Sequence, residues 1–225
     1  MKFNWSSENL SDRGILIGAD LTQEWLLPWW WDNYSCNASF PVAFADFGMS
    51  AEAKKWCEDR GRLLSLGIPA IFVAERHEID AALVSEMEAA CGNGFWPSRN
   101  AWFKKPMACL NSPFSETIWI DLDCEIRLPL NFLFLFLKEP VALAKETFHC
   151  SDSEIYNAGV ILFKKGSQMI EEWAEQSFEQ NHLFRGDQDV LNTIIKKFPS
   201  KITELPEIYN WSRLKGKNPK AIILH

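Results

Sequence analysis

Short apolar runs typical of buried strands alternate along this chain with stretches whose apolar residues recur at helical spacing. The runs predict strands at residues 14–18, 41–47, 69–73, 117–122, 141–144, 159–163 and 221–224. The other stretches predict helices at residues 51–66, 78–90, 168–178 and 187–198. Such alternation favours a sheet with helices on both faces and a ligand site beyond the carboxyl ends of its strands. The 225 residues contain no internal repeat, so we predict one α/β domain.

The run at residues 117–122 leads into two aspartates, Asp121 and Asp123, separated by Leu122. Residues two apart on a strand point to the same face, so both carboxylates would project together while Leu122 turns toward the core. Carboxylates this close repel each other, and a divalent cation bound to both removes the repulsion. The pattern therefore indicates a metal–diphosphate site, although an isolated Asp-x-Asp is more often a solvated turn.

Four further motifs follow in order along the chain. Asn-Ala-Gly at 157–159 precedes an apolar strand, and Gly-Asp-Gln-Asp at 186–189 stands at a helix start. Tyr-Asn-Trp occupies 209–211, and the last predicted strand ends in His225. Taken singly, these motifs are also explained by a turn, a helix cap, core packing and a frayed chain end. Their order and spacing after the Asp-x-Asp make the set specific.

Together these motifs resemble the sugar-nucleotide glycosyltransferases of family 8, the glycogenin-like and galactosyltransferase-like enzymes. The resemblance covers roughly residues 15–225 and is strongest over 105–189. It implies a single GT-A domain over residues 1–225, with a Rossmann-like mixed central sheet flanked by helices. It also implies retaining transfer of a sugar, expected to be a hexosyl group, from a nucleotide diphosphate sugar, with a UDP-sugar favoured. The acceptor is left open as a glycan, a lipid or a protein.

The resemblance also implies roles for individual residues. Asp121, Asp123 and His225 match the metal ligands of the family, which hold Mn²⁺ or Mg²⁺ against the donor diphosphate. The donor-binding positions fall on Ala19, Asp20, Lys105 (or Lys104), Asp121, Leu122, Asp123, Asn157 and Asp187. The catalytic positions fall on Gln188, beside the anomeric carbon, and on Asp187, which accepts hydrogen bonds from sugar hydroxyls.

One departure from the family concerns the carboxyl end. Family members continue after this histidine with a glycine and a Lys-Pro-Trp-like segment whose lysine contacts the diphosphate, whereas this sequence ends at His225. A site without that lysine would be weakened or inactive unless a further segment supplies it. We therefore expect His225 to be loosely held when metal and donor are absent.

Charge and cysteine usage restrict the partners and the compartment. A net charge of −7 with scattered Lys and Arg argues against a nucleic-acid-binding face. Because neither an apolar signal core nor a membrane-length apolar segment occurs, we expect a cytoplasmic protein, either free or bound peripherally to a membrane. The six cysteines lack CxxC and zinc spacings and are expected to be reduced thiols. We expect residues 1–12 to be poorly ordered.

Two other functions fit part of the pattern. A hydrophobic strand ending in Asp-x-Asp also opens the phosphatases that form an aspartyl-phosphate, but these carry Thr or Val where this chain has Glu125. The second alternative is a catalytically degenerate GT-A fold that binds a sugar nucleotide, a glycan or a protein without turnover. Phosphate release from a generic phosphoester would indicate the first, and metal-dependent donor binding without hydrolysis or transfer would indicate the second.

Overall fold

The computed structural model describes residues 12–69, 72–146 and 155–225. The α-helices of this part are α1 Leu27–Asn37, α2 Ala51–Glu58, α3 Ala81–Cys91, α4 Trp96–Leu110, α5 Gln168–Glu179 and α6 Asp187–Ile195. The strands are β1 Arg13–Ala19, β2 Val42–Asp46, β3 Arg62–Ser65, β4 Glu116–Ile120, β5 Glu125–Ile126, β6 Val141–Glu146, β7 Ile155–Lys164, β8 Ile202–Glu204 and β9 Ile223–Leu224. Within the described ranges, every helix is too short or too polar to cross a membrane.

Seven strands form a mixed sheet in the order β3-β2-β1-β4-β7-β6-β8. The strands β3, β2, β1 and β4 run parallel to one another, whereas β7 is antiparallel to both β4 and β6. The sheet therefore changes direction between β4 and β7, where Ile120 lies opposite Val160. This change brings the carboxyl end of β4 beside the amino-terminal half of β7.

A second, two-stranded sheet brings the last residues of the sequence back to the same place. In it β5 pairs antiparallel with β9, with Glu125 opposite Leu224 and Ile126 opposite Ile223. Because β5 begins two residues after Asp123, this pairing places His225, the residue after β9, beside the Asp-x-Asp segment.

Apolar side chains pack on both faces of the large sheet, as near-continuous hydrophobic strands require. In β4, Ile118 and Ile120 pack on the face covered by α1, whereas Trp119 packs on the face covered by α4, α5 and α6. Side chains alternate along a strand, so Asp121, two residues after Trp119, emerges on the face covered by α4 and α6.

The predicted α/β architecture is confirmed, but the edge strand beside β2 differs from the prediction. The helix predicted at 51–66 ends at Glu58, and Arg62–Ser65 forms β3 instead. A Cβ at Gly61 would lie 2.3 Å from the Val42 carbonyl oxygen, so this segment passes close to β2 and turns into the sheet. Pro69, Phe72 and Val73 therefore lie outside any strand, contrary to the prediction for 69–73. Residues 1–11, 70 and 71 lie outside the described part.

Candidate active site

The Asp-x-Asp segment lies where the sheet changes direction. Strand β4 ends at Ile120, and the Asp121 N–H still donates to the Gly159 carbonyl of β7 at 2.8 Å. A turn follows, closed by a hydrogen bond of 3.0 Å from Cys124 N–H to Asp121 O. The prediction of strand through Leu122 is therefore wrong by two residues, and a turn, not strand alternation, places the second aspartate. Leu122 itself is buried in the core, as predicted.

Lys105, on α4, forms a buried ionic cluster with Asp121 and Asp187. Its Nζ lies 3.0 Å from Asp121 Oδ1 and 3.2 Å from Asp187 Oδ2, and it donates to the Ala158 carbonyl at 3.3 Å. The Lys105 side chain is 7% exposed. Burial alone would lower the pKa of Lys105, but the two carboxylates outweigh burial and hold this pKa above its usual range.

Asp187 opens helix α6, and its side chain is almost fully buried. Its carbonyl accepts a hydrogen bond of 2.8 Å from Trp173 Nε1, which ties the helix start to α5. Burial raises the pKa of Asp187 to about 6, against the opposing effect of Lys105. The carboxylate is thus ionised at neutral pH, where the amino end of α6 also favours negative charge.

Asp123 and His225 form the exposed side of the site. The Asp123 side chain is 64% exposed, and His225 Nε2 lies 3.8 Å from Asp123 Oδ1. The same Nε2 lies 3.8 Å from Asp121 Oδ2. Both separations exceed hydrogen-bond lengths. His225 Nε2 therefore faces one carboxylate oxygen of each aspartate across a gap.

His225 is anchored through its backbone and its ring. Its N–H donates to the Trp211 carbonyl at 2.8 Å, and its carbonyl accepts from Arg213 N–H at 2.7 Å. The ring Nδ1 lies 3.0 Å from Asn210 Oδ1. The structure thus differs from the expectation of a loosely held histidine, because the β5–β9 ladder and the segment at 210–213 enclose it.

The chemistry of these side chains fits a divalent cation. Two ligands about 2.1 Å from one ion lie up to about 4 Å apart, so the separations around His225 admit an ion. Three carboxylates and the Lys105 ammonium give a net charge of −2 (−3 + 1), which such an ion balances. Cys124 also has its Sγ within 4.8 Å of ligand atoms on Asp123 and His225. Burial raises the pKa of the Cys124 thiol well above its usual value, whereas the oxygen and imidazole donors suit a hard or borderline divalent ion.

The side-chain amide of Gln188 is fixed at both ends beside the ionic cluster. Its Oε1 accepts from Ala158 N–H at 3.0 Å, and its Nε2 donates to Glu146 Oε2 at 3.0 Å. The sequence analysis did not select Glu146, since a charged residue at a strand end is usual for a solvated edge. Asn157, the other predicted amide, accepts at Oδ1 from Gly159 N–H at 2.8 Å.

Ala19, Asp20 and Lys104 lie outside the ionic cluster, near the carboxyl end of β1. Ala19 is buried, and Asp20 Oδ1 accepts from two backbone N–H groups of the turn that it begins. Lys104 Nζ donates to the Phe47 carbonyl at 2.7 Å. Of the two adjacent lysines, Lys105 is therefore the one that reaches the Asp-x-Asp turn.

Arg99 supports the site without lying in it, and no sequence motif marks this residue. It is 1% exposed. Its guanidinium donates to the backbone carbonyls of Ala74 at 2.9 Å, Phe184 at 2.9 Å, Arg185 at 3.2 Å and Asn181. Burial lowers the pKa of Arg99 to about 10, so it stays charged at neutral pH. This side chain fixes the loop that leads into Asp187.

A cleft of about 190 Å³ opens over the ionic cluster. The predicted residues that line it are Lys105, Asp121, Asp187, Gln188 and His225. Trp102 and Arg185 line it as well and were not predicted. Typical ligand pockets measure roughly 300–1,000 Å³, so this cleft has room for part of a nucleotide sugar.

Solved structures with a similar fold include several glycosyltransferases. Mouse xyloside xylosyltransferase 1, apo form, has a TM-score of 0.58 and 15% identity over 96% of this chain and 97% of that chain. The galactosyltransferase LgtC, in complex with donor and acceptor sugar analogues, has a TM-score of 0.58 and 14% identity over 94% of this chain and 86% of its own. GlyE from Streptococcus pneumoniae, also apo, has a TM-score of 0.58 and 15% identity, over 96% of this chain and 54% of its own.

These similarities define the fold. The chain has a GT-A glycosyltransferase fold of the kind seen in family 8, as the resemblance of its motifs implied. At the level of sequence, no protein-family profile and no curated protein matches the chain.

Proposed function

We propose that this protein is a metal-dependent retaining glycosyltransferase that uses a nucleotide diphosphate sugar, with a UDP-sugar favoured. The observation that carries the proposal is the position of His225 Nε2, 3.8 Å from a carboxylate oxygen of Asp121 and 3.8 Å from one of Asp123. In a GT-A fold this gap lies at the carboxyl end of β4, where ligands of open α/β sheets bind. The proposed ion is Mn²⁺ or Mg²⁺.

The ion would be held by Asp121, Asp123 and His225. Lys105 would lie next to this site, in contact with Asp121. A divalent ion bound there supplies Lewis-acid chemistry, since it offsets the negative charge that develops on the leaving diphosphate. Lys105 adds a fixed positive charge within a water-poor cluster, where electrostatic stabilisation is strongest. Its ammonium is pre-positioned by two carboxylates and needs no reorganisation when the donor arrives.

Asp187, Asn157 and Gln188 would surround the donor sugar. Asp187 presents a buried carboxylate to the cleft, which suits a hydrogen-bond acceptor for sugar hydroxyls. Gln188 is an uncharged amide already hydrogen-bonded at both ends, and is therefore a poor nucleophile. We accordingly favour departure and attack on the same face of the sugar over a covalent intermediate.

Calorimetric titration with UDP and a panel of UDP-sugars, with and without MnCl₂, tests the proposal. We expect Mn²⁺-dependent binding that Asp123→Asn weakens at least about tenfold, because a ligand of the ion is lost. The matched control is Asp59→Asn, since Asp59 has a similar side-chain exposure of 61% and lies just after the carboxyl end of α2, outside the lining of the cleft. Nucleotide affinity that responds neither to Mn²⁺ nor to Asp123→Asn would contradict the proposal.

A second measurement separates turnover from binding alone. We expect slow release of UDP from the bound UDP-sugar, with water as acceptor, and loss of this release in Asp123→Asn. Metal-dependent binding without any release of UDP, in water or with added acceptors, would instead assign a degenerate fold that binds its ligand without chemistry.

A further inference from the structure

A chain of hydrogen bonds runs from the backbone of β7 to the imidazole of His225. It begins at the Gly159 N–H, which lies 2.8 Å from Asn157 Oδ1. A backbone N–H can only donate, so the Asn157 side chain must present its oxygen, not its NH₂ group, to this position. The orientation of the Asn157 amide is therefore set by the main chain.

Asn210 forms the next link. An atom of its amide lies 2.8 Å from the same Asn157 oxygen and must be the donor Nδ2. The other end of the amide, Oδ1, then faces His225 Nδ1 at 3.0 Å. An amide oxygen carries no proton, so the proton of this hydrogen bond belongs to His225 Nδ1.

The neutral imidazole of His225 therefore carries its proton on Nδ1 and a lone pair on Nε2. Nε2 is the atom that lies 3.8 Å from both Asp121 Oδ2 and Asp123 Oδ1. The opposite tautomer would point an N–H at the two carboxylates and leave no lone pair for a cation. The chain of amides thus selects the tautomer that can act as a metal ligand.

We propose that Asn210 is a positioning residue that fixes His225 as the Nδ1–H tautomer with Nε2 turned to the cation site. The consequence for metal binding rests on the proposed function, whereas the tautomer itself does not. Asn210 is 6% exposed, so water does not compete freely for its amide. If Asn210 only packed against its neighbours, substituting it would leave the tautomer of His225 unchanged. The tautomer therefore distinguishes a packing role from a positioning role.

Nitrogen NMR of the metal-free full chain, labelled with ¹⁵N-histidine and held where the ring is neutral, tests the tautomer directly. The signals of His225 are assigned by their loss in His225→Gln, which is practical because the sequence has only 4 histidines. We expect a protonated Nδ1 and an unprotonated Nε2 in the wild type. A protonated Nε2 in the wild type would overturn the proposal without any metal or nucleotide being added.

Two variants of similar side-chain volume sharpen the test. Asn210→Leu removes the acceptor and should release the ring into a mixture of tautomers. Asn210→Asp loses the donor to Asn157 Oδ1 but keeps an acceptor oxygen for His225, and should retain Nδ1–H. Titration with MnCl₂ alone, followed by the electron paramagnetic resonance of free Mn²⁺, should show about 10- to 100-fold weaker binding in Asn210→Leu and rescue in Asn210→Asp.

An unchanged tautomer in folded Asn210→Leu would refute the positioning role. A changed tautomer with unchanged Mn²⁺ affinity would refute its consequence for the metal. Failure of the proposed function has a different signature, namely the expected tautomer in the wild type without measurable Mn²⁺ or UDP binding.

Discussion

The site has a buried half, Lys105 with Asp121 and Asp187, and an open half, Asp123 with His225. In the buried half a 7%-exposed ammonium touches two carboxylates at 3.0 and 3.2 Å. In the open half the nearest opposing atoms stay 3.8 Å apart, and the Asp123 side chain is 64% exposed. Both halves meet at Asp121, whose Oδ2 accepts from Lys105 Nζ at 3.2 Å and also lies 3.8 Å from His225 Nε2.

The two halves should contribute to different properties of the protein, the buried half to its stability and the open half to ligand binding. The Lys105 ammonium offsets one of the two buried carboxylate charges, so removing it should act on the stability of the folded chain. The open side keeps an excess of negative charge that solvent tolerates and a cation would remove. Substitutions in the first half should therefore act on unfolding, and those in the second half on binding.

Breaking the buried half should have the largest effect. Lys105→Met leaves Asp121 and Asp187 as adjacent carboxylates without their counter-charge, and removing one partner of a buried ion pair costs about 3–5 kcal/mol. We expect the free energy of unfolding, measured with urea, to fall by that amount. The double variant Lys105→Met with Asp187→Asn should recover part of the loss, because one of the two stranded charges is gone. A loss below about 1 kcal/mol would show that water already reaches the cluster.

Gly159 joins the two halves, and a substitution there should have an intermediate effect. Its carbonyl accepts from Asp121 N–H, while an added Cβ would lie 2.2 Å from His225 Cε1. Gly159→Ala should displace the imidazole and destabilise the fold by about 1–3 kcal/mol, as overpacking does. Mn²⁺ affinity, measured by calorimetry with UDP present, should fall as well. Gly94→Ala is the control, since a Cβ there meets nothing within 4 Å. Unaltered Mn²⁺ affinity in Gly159→Ala would mean that His225 is not a ligand.

The open half should give the smallest change in stability. Asp123→Asn removes an exposed charge, so the free energy of unfolding without ligands should stay within about 0.5 kcal/mol of wild type. Thermal melts with Mn²⁺ and UDP should nonetheless differ, because a ligand that binds only the native state raises the melting temperature. We expect that rise in the wild type and not in Asp123→Asn. Equal rises in both proteins would place the ion elsewhere.

Local patterns were sufficient to predict the inner strands of the sheet and the Asp-x-Asp end of β4. Inner strands of a sheet that is covered on both faces are apolar on both faces, and such runs stand out in a sequence. The helices α1 and α4 escaped prediction, because each has a proline in its first turn and α4 also contains Pro106. Proline in the first helical turn removes no hydrogen bond, and that position is easily mistaken for a break.

The functional contacts of the site could not be predicted from local pattern at all. Lys105 and Asp187 are separated by 82 positions in the sequence, and Asn157 and Asn210 by 53 positions. Such pairs depend on strand order and on the direction change between β4 and β7, and no periodicity encodes them. The predictions of Lys105 and His225 came from the family resemblance, whereas Asn210 as a partner of His225 required the coordinates.

Arg99 should also determine which segments of the protein unfold locally together. Its single guanidinium holds the carbonyl of Ala74 and three carbonyls between Asn181 and Arg185, two segments that are far apart in sequence. Neither segment can leave its place without stranding that charge in the interior, so both should open in one step as a cooperative unit. Amide hydrogen exchange should then show the two segments losing protection together and at one free energy. The segment that brings Arg185 to the cleft would accordingly open together with the segment at Ala74, because Arg99 donates to both.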